Sequence, residues 1–153
     1  MKRILLLTFG LLLTACGTGD NSGPANVTWD RDACERCRMV LSDRHYAAQI
    51  VRQSGRGGEH QQVFKFDDLG CAVIWLEQQS WKDAPDTHIW VNDYHSGAWL
   101  NARTAFYLPA QNTPMDYGLG ATTQPSDNTL DFAAAKTAIL GKDAQSQHHH
   151  HHN

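Results

Sequence analysis

Hydrophobic and polar positions change their period several times along this chain, and each change marks an element. Residues 4–13 are an almost unbroken apolar run behind Met1-Lys2-Arg3. That run is too short to cross a bilayer, which takes about 20 residues, and it reads as a secretory signal. Residues 17–26 are rich in Gly, Ser, Asn and Thr with no apolar period, which predicts a flexible tether. A folded pattern begins near Trp29. Residues 46–51 end in β-branched Ile50-Val51, residues 54–58 read as a glycine-rich turn, and Gln62-Val63-Phe64-Lys65-Phe66 alternates, so the three together predict a hairpin. Leu69, Ala72, Val73 and Leu76 then recur at helical spacing, with Asp67 or Asp68 as the cap and an end near Gln79. Extended stretches follow at residues 88–94, 98–100 and 105–108, with His95-Ser96-Gly97 as a turn and Pro109 as a stop. Asp131 caps an Ala-rich helix over residues 132–140 that Gly141 should end.

Strand, strand, helix, then strands and a helix again: this order predicts an α+β fold of antiparallel strands in two ββαβ-like units, although no internal sequence repeat accompanies it. The expected organisation is a signal at residues 1–15, a tether at 16–28, one domain at 29–141 and a polar His-rich tail at 142–153. What remains after the signal is enough for one real core. Charge adds an exclusion. With 13 Lys and Arg against 16 Asp and Glu, and the signs interspersed, there is no basic stripe for nucleic acid.

Leu13-Thr14-Ala15-Cys16 places small residues just before a cysteine and resembles the bacterial lipobox. Cys16 is then the lipidated first residue of the mature chain, held to the membrane by acyl chains whose buried CH₂ groups contribute about 0.8 kcal/mol each. Gly17, where an Asp would favour inner-membrane retention, points to a periplasm-facing outer-membrane lipoprotein. Setting Cys16 aside leaves Cys34, Cys37 and Cys71, an odd number in an oxidising compartment, which argues against a simple disulfide framework.

The most chemically committed stretch is Cys34-Glu35-Arg36-Cys37-Arg38-Met39. A C-x-x-C pair serves equally as a redox dithiol, a zinc half-site or a disulfide staple. Met39 shifts the balance, because thiolate and thioether together select Cu(I). The competing reading makes Met39 the start of an apolar run through Leu41 that fills core. Cys71, in the first turn of the expected helix, has a position that lowers a thiol's pKa, yet a lone Cys among apolar residues reads first as buried core. Met115 lies in a loop framed by Pro114 and Gly118, where a core role is less natural. His45, His60, His88 and His95 read individually as ordinary surface or core residues. The run His148 to His152 has two readings, a purification tag or, since it is five residues closed by Asn153, a native low-affinity metal-binding tail.

The lipobox, Cys34-x-x-Cys37-x-Met39, Phe64-x-Phe66-Asp67-Asp68-x-Gly70-Cys71 and Thr113-Pro114-Met115-x-Tyr117-Gly118 follow one another as in NosL, and the chain resembles that family of copper-binding lipoproteins encoded with nitrous-oxide reductase. The resemblance implies a carrier without catalytic turnover. It would hold Cu(I) and pass it to the nitrous-oxide reductase assembly complex, an ABC transporter with a periplasmic subunit, or to the apo reductase. It also implies a fold similar to the ββαβ units of organomercurial lyase, and it places copper on Cys37, Met39 and Met115, with Cys34 adjacent. The sequence departs where the family has Met-Gly and this chain has Met115-Asp116, since Asp adopts positive φ less freely than Gly. Two other functions stay open. A thiol-disulfide oxidoreductase would use Cys34 and Cys37 at a helix start. An organomercurial-lyase-like enzyme would need two thiols and a carboxylate in one pocket, for which Asp67 or Asp68 near Cys71 is available.

Overall fold

The computed structural model describes residues 23–54 and 60–150. The expected signal, Cys16, most of the tether, the glycines of the 54–58 turn and residues 151–153 lie outside the described residues. Within them the order is β1 (Ala48–Ser54), β2 (His60–Phe66), α1 (Leu69–Glu77), β3 (Thr87–Asn92), β4 (Trp99–Asn101), β5 (Phe106–Leu108), β6 (Gly120–Thr122) and α2 (Phe132–His150). The fold is α+β, as expected. None of the described helices is long and apolar enough to cross a membrane.

Four strands form one antiparallel sheet in the order β2-β1-β3-β4, and β5 pairs with β6 as a separate ribbon. The β1–β2 hairpin pairs Ala48 with Phe66 through to Ser54 with His60, while the other edge of β1 pairs Ala48 with Val91 of β3. As a central strand, β1 is buried on both faces: Ala48, Ile50 and Val51 are in the core, and so is Gln49. A buried amide must find partners. Gln49 meets this by accepting from the Ala25 N–H at 2.9 Å and donating to the Ala25 carbonyl at 2.8 Å. The ordered domain therefore reaches back beyond Trp29 into the segment expected to be tether.

Helix α1 buries Leu69 to Ile74 and Leu76, nearly all round, which suits a helix enclosed between a sheet and a second helix. Asp68 caps it, in extended conformation, by accepting the Gly70 N–H at 2.8 Å. Helix α2 runs back along α1. Lys136 near its start pairs with Glu77 at the end of α1, and Asp143 lies beside Tyr117, whose ring rests on Gly70 at the start of α1.

Several expectations need correction. Gly141 does not stop the second helix, which continues to His150. A glycine costs a helix only about 1 kcal/mol, and tertiary contacts at Lys142 and Asp143 offset that. The boundary expected at residue 141 is thus crossed by ordered helix. Strand β6 is a three-residue pairing with no sequence signal of its own. Strand β3 ends at Asn92, because the Asp93 carboxylate accepts the N–H groups of His95 and Ser96 and turns the chain. One ββαβ unit, β1-β2-α1-β3, is complete. The second half runs β4, β5, β6, α2, and no strand follows α2 among the described residues.

The two helical glycines should respond oppositely to alanine. A Cβ on Gly70 would fall 2.1 Å from the Tyr117 ring, whereas one on Gly141 would meet nothing within 4 Å. Gly70→Ala should lose about 1–3 kcal/mol through overpacking, and Gly141→Ala should gain about 0.5–1 kcal/mol, both read from urea denaturation. Equal effects would mean that Tyr117 does not pack on α1 as described.

Candidate metal centre

The Cys34–Met39 stretch is a tight reverse turn at the tip of a small hairpin whose arms meet at the Ala33–Val40 bridge. Cys34 N–H donates to the Met39 carbonyl at 2.8 Å and Arg38 N–H to the Cys34 carbonyl at 3.0 Å. Arg38 takes the left-handed φ of 65° needed to reverse the chain, a conformation that costs a non-glycine residue roughly 1–2 kcal/mol. The turn brings the Cys37 N–H to 3.5 Å from Cys34 Sγ. Glu35 N–H then docks the turn on β2 through the Lys65 carbonyl at 2.8 Å, and Lys65 pairs with Asp32 at 2.6 Å.

That docking sets the turn against the end of β2, where the chain enters α1. Asp67 follows the strand and Cys71 lies in the first helical turn. Cys34, Cys37, Cys71 and Asp67 offer donor atoms that all lie within 4.8 Å of one another. Cys37 Sγ is 3.4 Å from both Asp67 oxygens. Cys34 and Cys71 are wholly buried and Asp67 is 4 % exposed, so half-buried Cys37 is the member that reaches solvent. All three cysteines are free thiols.

So many acidic groups in one buried place cannot all ionise. Hydrogen bonding from Cys71 above all, helped by the Cys37 backbone N–H, concentrates negative charge on Cys34 and brings its thiol down to about 4, against the opposing effect of burial. The other two thiols move the other way. Burial and the hydrogen bond with Cys34 push Cys37 up to about 12, and the same two causes, the hydrogen bond first, raise Cys71 well beyond the ordinary thiol range. Burial, followed by the neighbouring Cys34, raises Asp67 to about 6. The metal-free cluster at neutral pH therefore holds one thiolate and two thiols, with Asp67 largely ionised.

Two further clamps close the site. Arg36, inside the turn, places its guanidinium 3.9 Å from Cys71 Sγ, 3.2 Å from the Tyr117 hydroxyl and 2.9 Å from Asp143 on α2. Asp68, next to Asp67, accepts from the Thr113 hydroxyl at 2.6 Å and the Met115 N–H at 3.1 Å. The loop at residues 113–118 is thereby tied to the start of α1. Asp116 takes a left-handed φ of 58°, so this chain makes the backbone turn with an Asp, and Lys142 of α2 holds its carboxylate at 3.0 Å.

The model of the family described as NosL matches residues 24–146, four-fifths of the chain. The chain belongs to the NosL family. No curated protein matches it. NosL proteins are copper-binding accessory proteins and not a known enzyme family, and the Cys/Asp cluster lies within the matched span. Of the residues expected to hold copper, Cys34 and Cys37 meet in the cluster. Met39 is 51 % exposed on the same turn, and Met115 is half-buried against the core in the loop that Asp68 holds. Cys71 and Asp67 are the additions. Cys71 is buried, as its apolar neighbours foretell, but its sulfur also faces two other thiols; the signal for that lay in its place at a helix start. Among the described residues, the metal-capable group at this site contains no histidine.

Because Cys34 is depressed chiefly by Cys71, removing Cys71 should raise it. On acidification from pH 8, thiolate absorbance near 240 nm should persist in the metal-free protein down to about pH 4–5, and in Cys71→Ala it should vanish at higher pH. A wild-type protein with no thiolate signal at pH 7 would contradict this distribution of charge.

Proposed function

We propose that this NosL protein is a Cu(I) carrier that loads and releases one ion at the Cys34–Cys37–Cys71 cluster and delivers it for assembly of the copper centres of nitrous-oxide reductase. The observation that carries the reading is the convergence of three thiols with a single solvent-side member. Soft thiolates favour Cu(I), and thioethers from Met39 and Met115 add soft donors without adding charge. Loading displaces thiol protons to solvent. Cys34, already ionised, needs no deprotonation and serves as the first buried anchor. Cys37 stands at the edge, where a partner's donors can replace it before the buried sulfurs let go. Asp67 beside Cys37 accepts its proton as the metal enters or returns it as the metal leaves. The receiving partner in this reading is the assembly ABC transporter, chiefly its periplasmic subunit, or the apo reductase. The lipobox at Cys16 supports a periplasm-facing place on the outer membrane. Family membership supports the copper role.

A second reading has one observation behind it. Three thiols and the Asp67 carboxylate stand together, the set needed to hold an organomercurial by sulfur while a carboxyl group protonates the departing carbon. The carrier reading expects no benzene to be released from phenylmercury beyond the rate in buffer. An oxidoreductase is less well supported, because Cys34 and Cys37 occupy a hairpin turn instead of a helix start.

Competition with a chromophoric Cu(I) chelator and with a Zn(II) chelator tests the carrier. Cu(I) should bind far more tightly, Cys37→Ser should abolish tight binding, and Met115→Leu should weaken it by about tenfold while keeping the melting temperature. Comparable affinity for Zn(II), which three thiolates and a carboxylate also suit, would overturn the assignment. Unchanged copper affinity with a lowered melting temperature in Met115→Leu would make Met115 a packing residue.

A further inference from the structure

The C-x-x-C turn carries two arginines, and the fold treats them differently. Arg38 reaches Glu35 at 3.8 Å with its side chain 72 % exposed, so water screens its charge. Arg36 turns inward. Its Nη1 lies 3.9 Å from Cys71 Sγ and donates to the Tyr117 hydroxyl at 3.2 Å, while its Nη2 donates to Asp143 at 2.9 Å. The Tyr117 hydroxyl in turn donates to the same Asp143 oxygen at 3.2 Å, and the second oxygen of Asp143 accepts from Gln147 at 2.8 Å. The 113–118 loop and α2 thus hold a cation beside the thiol cluster before any ion arrives. Loading and release use the sulfurs and Asp67 and leave this cation without a task.

A fixed cation at this place distinguishes ions by their charge. With the same sulfurs bound and the same protons lost, a Cu(I) complex is one unit more negative than a Zn(II) complex. A guanidinium, which stays charged at every accessible pH, therefore attracts the Cu(I) complex more strongly. Cys34 and Cys71 are wholly buried, so solvent ions screen that attraction little. Asp67 pulls the other way, because a carboxylate 3.4 Å from Cys37 Sγ favours the divalent ion. We propose that Arg36 is a selectivity residue of the cluster, whose charge offsets Asp67 and tilts the preference from Zn(II) to Cu(I). The inference rests on the reading of the cluster as the Cu(I) carrier and adds an electrostatic cause to donor softness. Asp143 and Tyr117 are positioning residues for the guanidinium. Asp143 also cancels part of its field, since it brings an opposite charge to the far nitrogen.

The test measures the dissociation constants of Cu(I) and of Zn(II) by competition with chromophoric chelators, at less than one equivalent of metal, in the full chain and in Arg36→Gln and Asp143→Asn. The two variants change one charge each, in opposite senses. Arg36→Gln should lower the ratio of Cu(I) to Zn(II) affinity by about tenfold or more. Asp143→Asn keeps an oxygen that accepts from Arg36, and it should raise the ratio by a smaller factor. A guanidinium that only latched the turn to the helices would behave otherwise: loosened from either side, it would weaken both metals alike or move the ratio the same way in both variants. Either of those outcomes, or an unchanged ratio in Arg36→Gln, overturns the proposal. Should Arg36→Gln fail to fold, Asp143→Asn decides alone, a higher ratio supporting the proposal and an unchanged or lower one overturning it. The carrier reading fails separately, if wild-type affinity for Zn(II) matches that for Cu(I), and the two charge effects are still read against that wild-type ratio.

Discussion

The carboxylate of Asp68 accepts three hydrogen bonds from two distant parts of the chain: the Gly70 N–H at the start of α1, and the Thr113 hydroxyl and Met115 N–H of the far loop. Ionic hydrogen bonds of this kind are stronger than neutral ones, and burial removes the water that would compete for them. The same residue thus starts the helix that carries Cys71 and pins the loop that carries Met115. Thr113 extends the clamp by accepting the Gly118 N–H, and Gly70 must lack a side chain so that Tyr117 can lie across the helix. Two of the sequence motifs are, in physical terms, the two halves of one joint.

Asp67 and Asp68 are neighbours with different environments and so different tasks. Asp68 is spent on structure, whereas Asp67 faces sulfur and shares a proton economy with three thiols. Burial and the hydrogen bonds with Cys34 hold Cys37 and Cys71 toward the thiol form in the metal-free cluster, and Arg36 brings its guanidinium to 3.9 Å from Cys71 Sγ. A monovalent soft ion entering the cluster replaces protons with a charge that several sulfurs share. That exchange is where the fold meets the chemistry, because two separate elements fix the sulfurs: the turn for Cys34 and Cys37, the helix for Cys71.

The sequence revealed the parts of this arrangement more readily than their convergence. Apolar alternation in Val63-Phe64-Lys65-Phe66 and the helical spacing of Leu69, Ala72, Val73 and Leu76 marked β2 and α1, because burial on a sheet or helix face leaves a period. Cys37 was legible as a candidate ligand from local donor spacing. Cys71 was weighed at its helix start but read first as buried core, since its partners lie 34 and 37 residues earlier and only the docking of the turn on β2 brings them together. Gly141 misled for a related reason: it carries a local stop signal, but Lys142 and Asp143 gain ion pairs with Asp116 and Arg36 by remaining helical. β6 is too short to show a period, and its place follows from pairing with β5.

Sulfur counting by X-ray absorption on the Cu(I)-loaded protein tests the central claim most directly, with wild type and Cys71→Ser measured side by side. The account predicts a sulfur-only first shell in the wild type and the loss of one sulfur scatterer in Cys71→Ser, with the remaining ligation retained. An identical spectrum for the two proteins would place copper away from α1 and contradict the three-thiol site.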